Sequence, residues 1–273
     1  MVTQRRPLLE FDHVTLAYGQ QEKASQGGHV AIDDVSCSVG SGEKFVIIGP
    51  SGCGKSTLLK AAAGFLPPKS GTVTLDGAEV TAPGPDRLVV FQEFDQLLPW
   101  RTVRGNLTYA LRRTSGRSRA DVADRVEEYI AMVGLTDRID AFPHQLSGGQ
   151  KQRAAIARSL ACDPSILLMD EPFGALDAQT RTRMQQELNN IWRNLGTTIL
   201  FVTHDIQEAV LLGHRILVLT PGPGRLRALL DNPHEGTDSD DPAVLEFVGR
   251  VKALLVDTTD AEDASMAVKG AGG

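Results

Sequence analysis

No apolar run in this sequence is long enough to cross a bilayer. The best candidates, Ile199 to Val202 and Ile216 to Leu219, are strand-sized, far short of the ~18 to 20 residues of a spanning helix, so the chain is not expected to cross a membrane alone. Cysteine is scarce: Cys37, Cys53 and Cys162 have neither paired nor metal-like spacing. That argues against a disulfide framework or a zinc site and fits a reducing compartment. An excess of positive charge is also missing, with 28 basic against 34 acidic residues and a net charge of -6. Nothing draws the chain to phosphate backbones or anionic lipids in general, so nucleic acid is not an expected partner and any anion site must be local. The start, MVTQRRPLLEFDHV, lacks an apolar stretch of signal-peptide length, which points to a cytoplasmic location.

What is present is a foldable chain: 273 residues, 41% hydrophobic, with 27 Gly and 14 Pro, too apolar for a disordered polymer and long enough for one to two domains. Leu8 to Tyr18 and Val30 to Val39 alternate loosely around the polar GQQEKASQGG and read as two antiparallel strands. Lys44 to Ile48 is a compact apolar run that meets a glycine-rich turn and passes into TLLKAAAGFL, a helix expected to end at Pro67 and Pro68. Further strands are expected at Thr72–Leu75, Leu88–Phe91, Ile166–Met169, Thr198–Val202, Ile216–Leu219 and Leu226–Leu230. Several are near-continuous apolar runs, as in strands covered on both faces. From about Glu93 to Cys162 the pattern turns helical, with Val122, Val126, Ile130 and Val133 at three- and four-residue spacing. Beyond Asp177, the residues Met184, Leu188, Ile191, Trp192 and Leu195 form one apolar helix face and are expected in the core. Asn232 to Asp241 is acidic and polar, Pro242 to Leu255 reads as a last amphipathic helix, and DTTDAEDASMAVKGAGG as a frayed tail.

Chemistry concentrates in GPSGCGKST, that is Gly49, Pro50, Ser51, Gly52, Cys53, Gly54, Lys55, Ser56 and Thr57. It satisfies GxxxxGK(S/T) between an apolar strand and a helix, where that motif has meaning. Glycines let several backbone N–H groups face one anion, and the helix adds its positive end. Lys55 is expected on the β- and γ-phosphates, Ser56 on Mg²⁺ and Thr57 on a phosphate. Cys53 is a small residue at a permissive position, with a reactive thiol beside phosphate as the second reading. About 110 residues on, SILLMDEP puts Asp170 and Glu171 at a strand end, where two carboxylates are costly unless they serve a cation or water. Asp170 is the expected Mg²⁺ partner; Glu171, one residue further and facing the other way, would polarise the attacking water.

Between these sites runs LSGGQKQRAAIARSL. Ser147 can cap the following helix, and Gly148 and Gly149 leave N–H groups uncovered. With Gln150 completing LSGGQ, the sequence resembles the ATP-hydrolysing subunits of ABC transporters from about Leu8 to Leu230. The resemblance implies an α/β P-loop NTPase (RecA-like) core with an N-terminal antiparallel β subdomain and an inserted α-helical signature subdomain. It implies one domain over residues 1–231, with helices inserted over about 93–162, and a linker, short helix and tail over 232–273. It also implies ATP and Mg²⁺ as cofactors and a homodimer in which LSGGQ of one copy completes the other's nucleotide site. Permease subunits in the membrane, a solute-binding protein behind them and a peripheral position on the cytoplasmic face follow in the same way.

Residue by residue, Gln92 in VVFQ matches the glutamine that contacts metal and attacking water. His204 in FVTHD matches the switch histidine at the γ-phosphate. Tyr18 matches the aromatic that stacks on adenine, although the connection from Gly19 to His29 is longer than the family's usual turn. Asp177 closes GALD, the loop that bridges two subunits, whose first position, here Gly174, is more often serine. Asp205 with Glu208 reads as a capping box. FQEFDQLLPWRTVRGNL and LTPGPGRL narrow the likeness to importers of nitrate, sulfonates and taurine, and Leu97, Leu98, Pro99 and Trp100 offer either core or a permease-docking surface. The alternatives are a non-transport ATPase of this family, or a lipid or vitamin system; no coiled coil or second cassette supports a DNA-repair or ribosomal role.

Overall fold

In the computed structural model the described residues are 6–19, 29–92, 96–114, 116–174, 176–237 and 239–256. The elements run β1 (Pro7–Tyr18), β2 (His29–Gly40), β3 (Lys44–Ile48), α1 (Lys55–Ala62), β4 (Ser70–Leu75), β5 (Ala78–Glu79), β6 (Arg87–Val90), α2 (Val103–Thr114) and α3 (Arg119–Met132). They continue with α4 (Gly148–Leu160), β7 (Ile166–Asp170), α5 (Ala178–Leu195), β8 (Thr198–Thr203), α6 (Ile206–Leu212), β9 (Arg215–Leu219), β10 (Leu226–Asp231) and α7 (Pro242–Val256). Two units share them: the described residues up to Ala82 and from Phe201 onward form one, and Pro83–Leu200 the other.

In the first unit, β1 pairs antiparallel with β2, Phe11 opposite Cys37 and Leu16 opposite Ile32, and with β4 on its other side. The alternation read from sequence buries Leu9, Phe11, Val14 and Leu16, each apolar side chain contributing about 1.5–3 kcal/mol. The polar connection between β1 and β2 lies outside the described residues. All five residues of β3 are buried, and it runs parallel to β9, with Val46 opposite Ile216. Strand β10 pairs antiparallel with β9 but is half-exposed, so the expectation of two covered faces holds for β3, not for β10. Helix α1 departs at both ends from the segment Thr57 to Leu66. It begins at Lys55 and stops at Ala62, because Gly64 adopts φ +78°. Gly64 N–H then donates to Ala61 O (3.0 Å) and Phe65 N–H to Lys60 O (2.9 Å), the paired bonds that close a helix on a left-handed glycine. Glycine ends the helix before proline can.

The carboxyl-terminal helix was legible: α7 buries Val244, Phe247 and Val251. The segment before it is anchored to the core by Asn232, whose amide donates to Val210 O (2.7 Å) and Gly213 O (2.6 Å), and by an ion pair between Glu235 and Lys44, which is only 2% exposed. The tail DTTDAEDASMAVKGAGG lies outside the described residues.

In the second unit, β6 and β7 run parallel, Leu88 opposite Leu167; Phe91, expected in β6, lies just past its end. Among the described residues between β6 and β7 there are helices and no strand. Val122, Val126, Ile130 and Val133 are buried, as their spacing requires. Arg125 fastens α3 to the end of α4 by donating to Ala161 O (2.6 Å) and pairing with Asp163. On α5, Met184, Leu188 and Ile191 are buried, whereas Trp192 and Leu195 are half-buried. The buried stripe narrows toward the helix's carboxyl end, so the core assignment fails for those two. Leu97 is core, and Trp100, 69% exposed, is surface.

Candidate nucleotide site

The phosphate loop follows from the local sequence. Strand β3 delivers Gly49 buried at its end, where a side chain would meet Cys53 Sγ at 2.6 Å. Gly52 (φ +77°) and Gly54 (φ +97°) then take left-handed conformations that turn the backbone around; only glycine adopts these freely. Gly54 is the N-cap of α1 and supplies no side-chain cap, so the residue that opens the helix leaves room at its N–H groups for a ligand. Lys55 is 6% exposed, and its Nζ donates to Gly49 O (2.8 Å) and Pro50 O (3.0 Å). A buried ammonium partnered by neutral carbonyls at an uncapped helix start is a standing demand for an anion, so this loop fits phosphate. Ser51 and Gly52 are exposed, Pro50 and Ser56 half-buried.

Tyr18, at the end of β1 and 42% exposed, is held beside the loop: its hydroxyl lies 3.1 Å from Thr57 Oγ1. Thr57 is itself buried, and its hydroxyl contact ties Tyr18 to the start of α1. Cys53 is buried, and burial pushes its thiol pKa up despite the Lys55 charge nearby. The reactive-thiol reading therefore fails. His204 is exposed just past β8. Asp205 caps α6, accepting from Gln207 N (2.8 Å) and Glu208 N (3.2 Å). The capping box expected with Glu208 differs in its return leg. The Glu208 carboxylate accepts from the Thr203 hydroxyl (2.7 Å), and Thr203 Oγ1 accepts from Asp205 N–H (3.0 Å).

In the second unit, Asp170 closes β7 and Glu171 follows with φ +45°. Strand alternation therefore does not aim Glu171, as expected from sequence; a left-handed backbone does, at a cost of roughly 1–3 kcal/mol for a residue with a side chain. Gln92 is exposed two residues past β6. Its amide packs against Gly174, where a Cβ would lie 3.0 Å from Gln92 Nε2. Asp177 caps α5 through Thr180 N–H (2.9 Å), and that bond, with others at the same helix start, holds its carboxyl below the usual range. Ala175, within GALD, lies outside the described residues.

Ser147 caps α4 in a reciprocal box: its Oγ accepts from Gln150 N–H (3.3 Å), and Gln150 Oε1 accepts from Ser147 N–H (2.9 Å). Ser147 stays exposed and Gly148 half-buried. Gly149 is buried where a Cβ would meet Thr180 Cγ2 at 2.8 Å, so glycine lets α4 close onto α5. Ser147, Gly149, Gln150, Arg153, Thr180 and Glu187 line part of a groove of about 860 Å³.

Sequence reading missed a polar tie inside this unit. Gln96 bonds both ways with the Phe91 backbone (3.2 and 3.1 Å) and donates to Gln152 Oε1 (3.3 Å). Arg158 donates to Gln96 O (2.7 Å), and burial lowers its pKa. The backbone beside Gln92 is thus joined to the helix that carries Ser147. Gln152, fully buried on α4, is one of its members; nothing in the sequence marks it as buried.

The sequence model described as ABC transporter matches residues 32–174. The nitrate import ATP-binding protein NrtD of Synechococcus elongatus is 46% identical, covering 83% of each chain. The taurine import ATP-binding protein TauB of Rhizobium johnstonii is 43% identical over 94% of this chain and all of its own. Among solved structures, the dimeric ATP-binding cassette MJ0796, in a post-hydrolysis state with ADP and Pi, superposes with a TM-score of 0.68 at 31% identity over 82% of this chain and 98% of that one. Matches of this extent, on a chain that carries the phosphate loop and LSGGQ, establish the α/β P-loop fold and the activity: the chain belongs to the ABC transporter family and is an ATP-binding, ATP-hydrolysing transporter subunit.

Proposed function

We propose that this chain is the motor of an importer for a small solute such as nitrate, taurine or another sulfonate, and that it works as a head-to-tail homodimer. Each ATP then lies between the Gly49 to Thr57 loop of one copy and Ser147 to Gln150 of the other. The observation that carries this reading is the pairing of a buried Lys55 at an uncapped helix start with an exposed Ser147 on a helix that caps itself. One is built to hold phosphate and the other to be offered to it. The import relatives support the direction of transport.

In this reading Lys55 and backbone N–H groups of the loop bind the β- and γ-phosphates, and Tyr18 stacks on adenine, a contribution of ~1–3 kcal/mol. Ser56 offers a hydroxyl, Asp170 a carboxylate and Gln92 an amide oxygen, hard oxygen donors of the kind Mg²⁺ takes. Mg²⁺ when bound neutralises phosphate charge. Glu171 orients the attacking water and takes up its proton. Gln92 and His204 make turnover depend on the closed pair, and Asp177 bridges the two copies. Because the γ-phosphate touches both copies, ATP favours closure and its hydrolysis removes that preference, as a population shift requires.

Among the described residues no helix is long and apolar enough to cross a membrane. Transport then needs permease subunits, with this chain docked on their cytoplasmic face, partly through exposed Trp100, and a solute-binding protein delivering cargo. The ATPase domain spans residues 1–231, with the helical subdomain over about 93–162, and 232–273 form an appendage. The test is Glu171→Gln. It retains ATP binding, lowers turnover at least ~10²-fold, and in ATP sediments as a dimer that Ser147→Arg abolishes. A variant that binds ATP yet stays monomeric, with its permease present as well as absent, overturns the shared-site reading.

A further inference from the structure

The turn Thr220–Arg225, between β9 and β10, lies against the phosphate loop of its own unit. Gly224 stands where an added Cβ would meet Cys53 O at 2.0 Å and Cys53 C at 3.2 Å. Those distances differ by about the length of a carbonyl bond, ~1.2 Å, so the Cys53 C=O points straight at Gly224. In a trans peptide the C=O and the following N–H point in opposite directions. The Gly54 N–H is therefore directed away from the turn, on the side opposite the carbonyl. Gly222 also faces the loop, but less closely, 3.4 Å from Gly52 O by the same measure.

The turn is held in this position by β2. Gly224 N–H donates to Ala31 O and Asp33 N–H to Gly224 O, both at 2.9 Å, and Arg225 pairs with Asp33. Thr220 closes it internally, donating to Arg225 O (3.0 Å) and accepting from Arg225 N–H through its hydroxyl (2.9 Å). Ala31 O lies in turn under Gly54, 2.6 Å from where its Cβ would be. Loop, turn and β2 thus form one packed stack, with the Cys53–Gly54 peptide at its centre.

We infer that Gly224 is a positioning residue for ATP binding: it fixes the Cys53 carbonyl and so aims the Gly54 N–H at the nucleotide's phosphate. The role belongs to the ground-state grip on nucleotide, not to proton transfer. Any side chain at 224 would meet the Cys53 carbonyl, so the peptide or the turn against it must shift.

The test measures the ATP dissociation constant and kcat on the full-length chain, the latter with its permease. Gly224→Ala should weaken ATP binding at least tenfold, keep kcat at saturating ATP within about threefold and keep a cooperative thermal transition. Gly222→Ala, whose added carbon makes only ordinary contact, should bind like the unaltered chain. Folded Gly224→Ala with unchanged ATP affinity overturns the inference, as does an equal loss in both alanine variants. Should Gly224→Ala fail to fold, the ion pair decides. Arg225→Glu should weaken ATP binding at least threefold, and Arg225→Glu with Asp33→Arg should restore it; unchanged affinity in the single variant, or no recovery in the double, overturns the inference. Loss of kcat with intact ATP binding would place Gly224 in the chemical step and equally refute a binding role. Failure of the homodimer reading leaves these binding measurements untouched.

Discussion

Two helices in this protein begin on glycine-bearing motifs, and they begin in opposite ways. Helix α1 starts from Gly54 with no side-chain cap; α4 starts from Ser147 with both halves of a capping box. A glycine start supplies no side-chain acceptor, at a cost of only about a few tenths of a kcal/mol relative to a good cap, and leaves room for a phosphate to approach the backbone. A self-capped start is complete without ligand and can be carried to a second molecule as a finished surface. The first design suits a site that owns its nucleotide, the second a site that lends itself.

The sharpest way to break this contrast is to remove the key polar group from each side separately. Lys55→Met deletes the buried cation of the owning site and should weaken ATP binding by ~10- to 150-fold, the range for a lost charged hydrogen bond. Ser147→Ala should leave ATP binding to the isolated chain unchanged, lower turnover of the assembled pair and cost roughly 1 kcal/mol of stability through the lost cap. Equal effects of both changes on monomer binding, read by isothermal titration, would end the distinction. An effect on stability alone is expected at Gly149. There Gly149→Ala must push Thr180 Cγ2 aside, at ~1–3 kcal/mol for an overpacked contact, and Thr180→Ser in the same chain should recover the loss of melting temperature. Smallest is the Asp177 cap. Its pKa is depressed in the folded state, so its contribution is complete above the unfolded value of about 3.9 and fades as pH falls through the folded one. Asp177→Asn should therefore flatten the stability profile only below about pH 4, and a difference that grows toward neutral pH would refute the assignment.

Much of the frame was readable because it rests on period and punctuation. Lys44 to Ile48 is a compact apolar run of strand length, and the glycine loop after it, followed by a helix, points to phosphate. Val122, Val126, Ile130 and Val133 mark a helix face whatever surrounds them. What escaped reading depends on atoms that meet from distant positions. Phe65 N–H reaching back to Lys60 O ends α1 before Pro67 does. The Tyr18 hydroxyl claims Thr57, and Gln96 joins Phe91 to α4. Trp192 and Leu195 follow the apolar repeat of α5 but lie where the covering layer thins. At the candidate site the residue types were visible in sequence; the backbone at Glu171 was not, because strand continuation predicts the wrong hand of φ there.

On the proposed water-activating role of Glu171, that left-handed turn sets chemistry against durability. Glycine, or failing that asparagine, would occupy the same conformation with less steric penalty, so the fold by itself would prefer either one to glutamate. Variants of this chain chosen only for heat resistance should accumulate such replacements at position 171, giving a sturdier protein that still grips its fuel and no longer spends it.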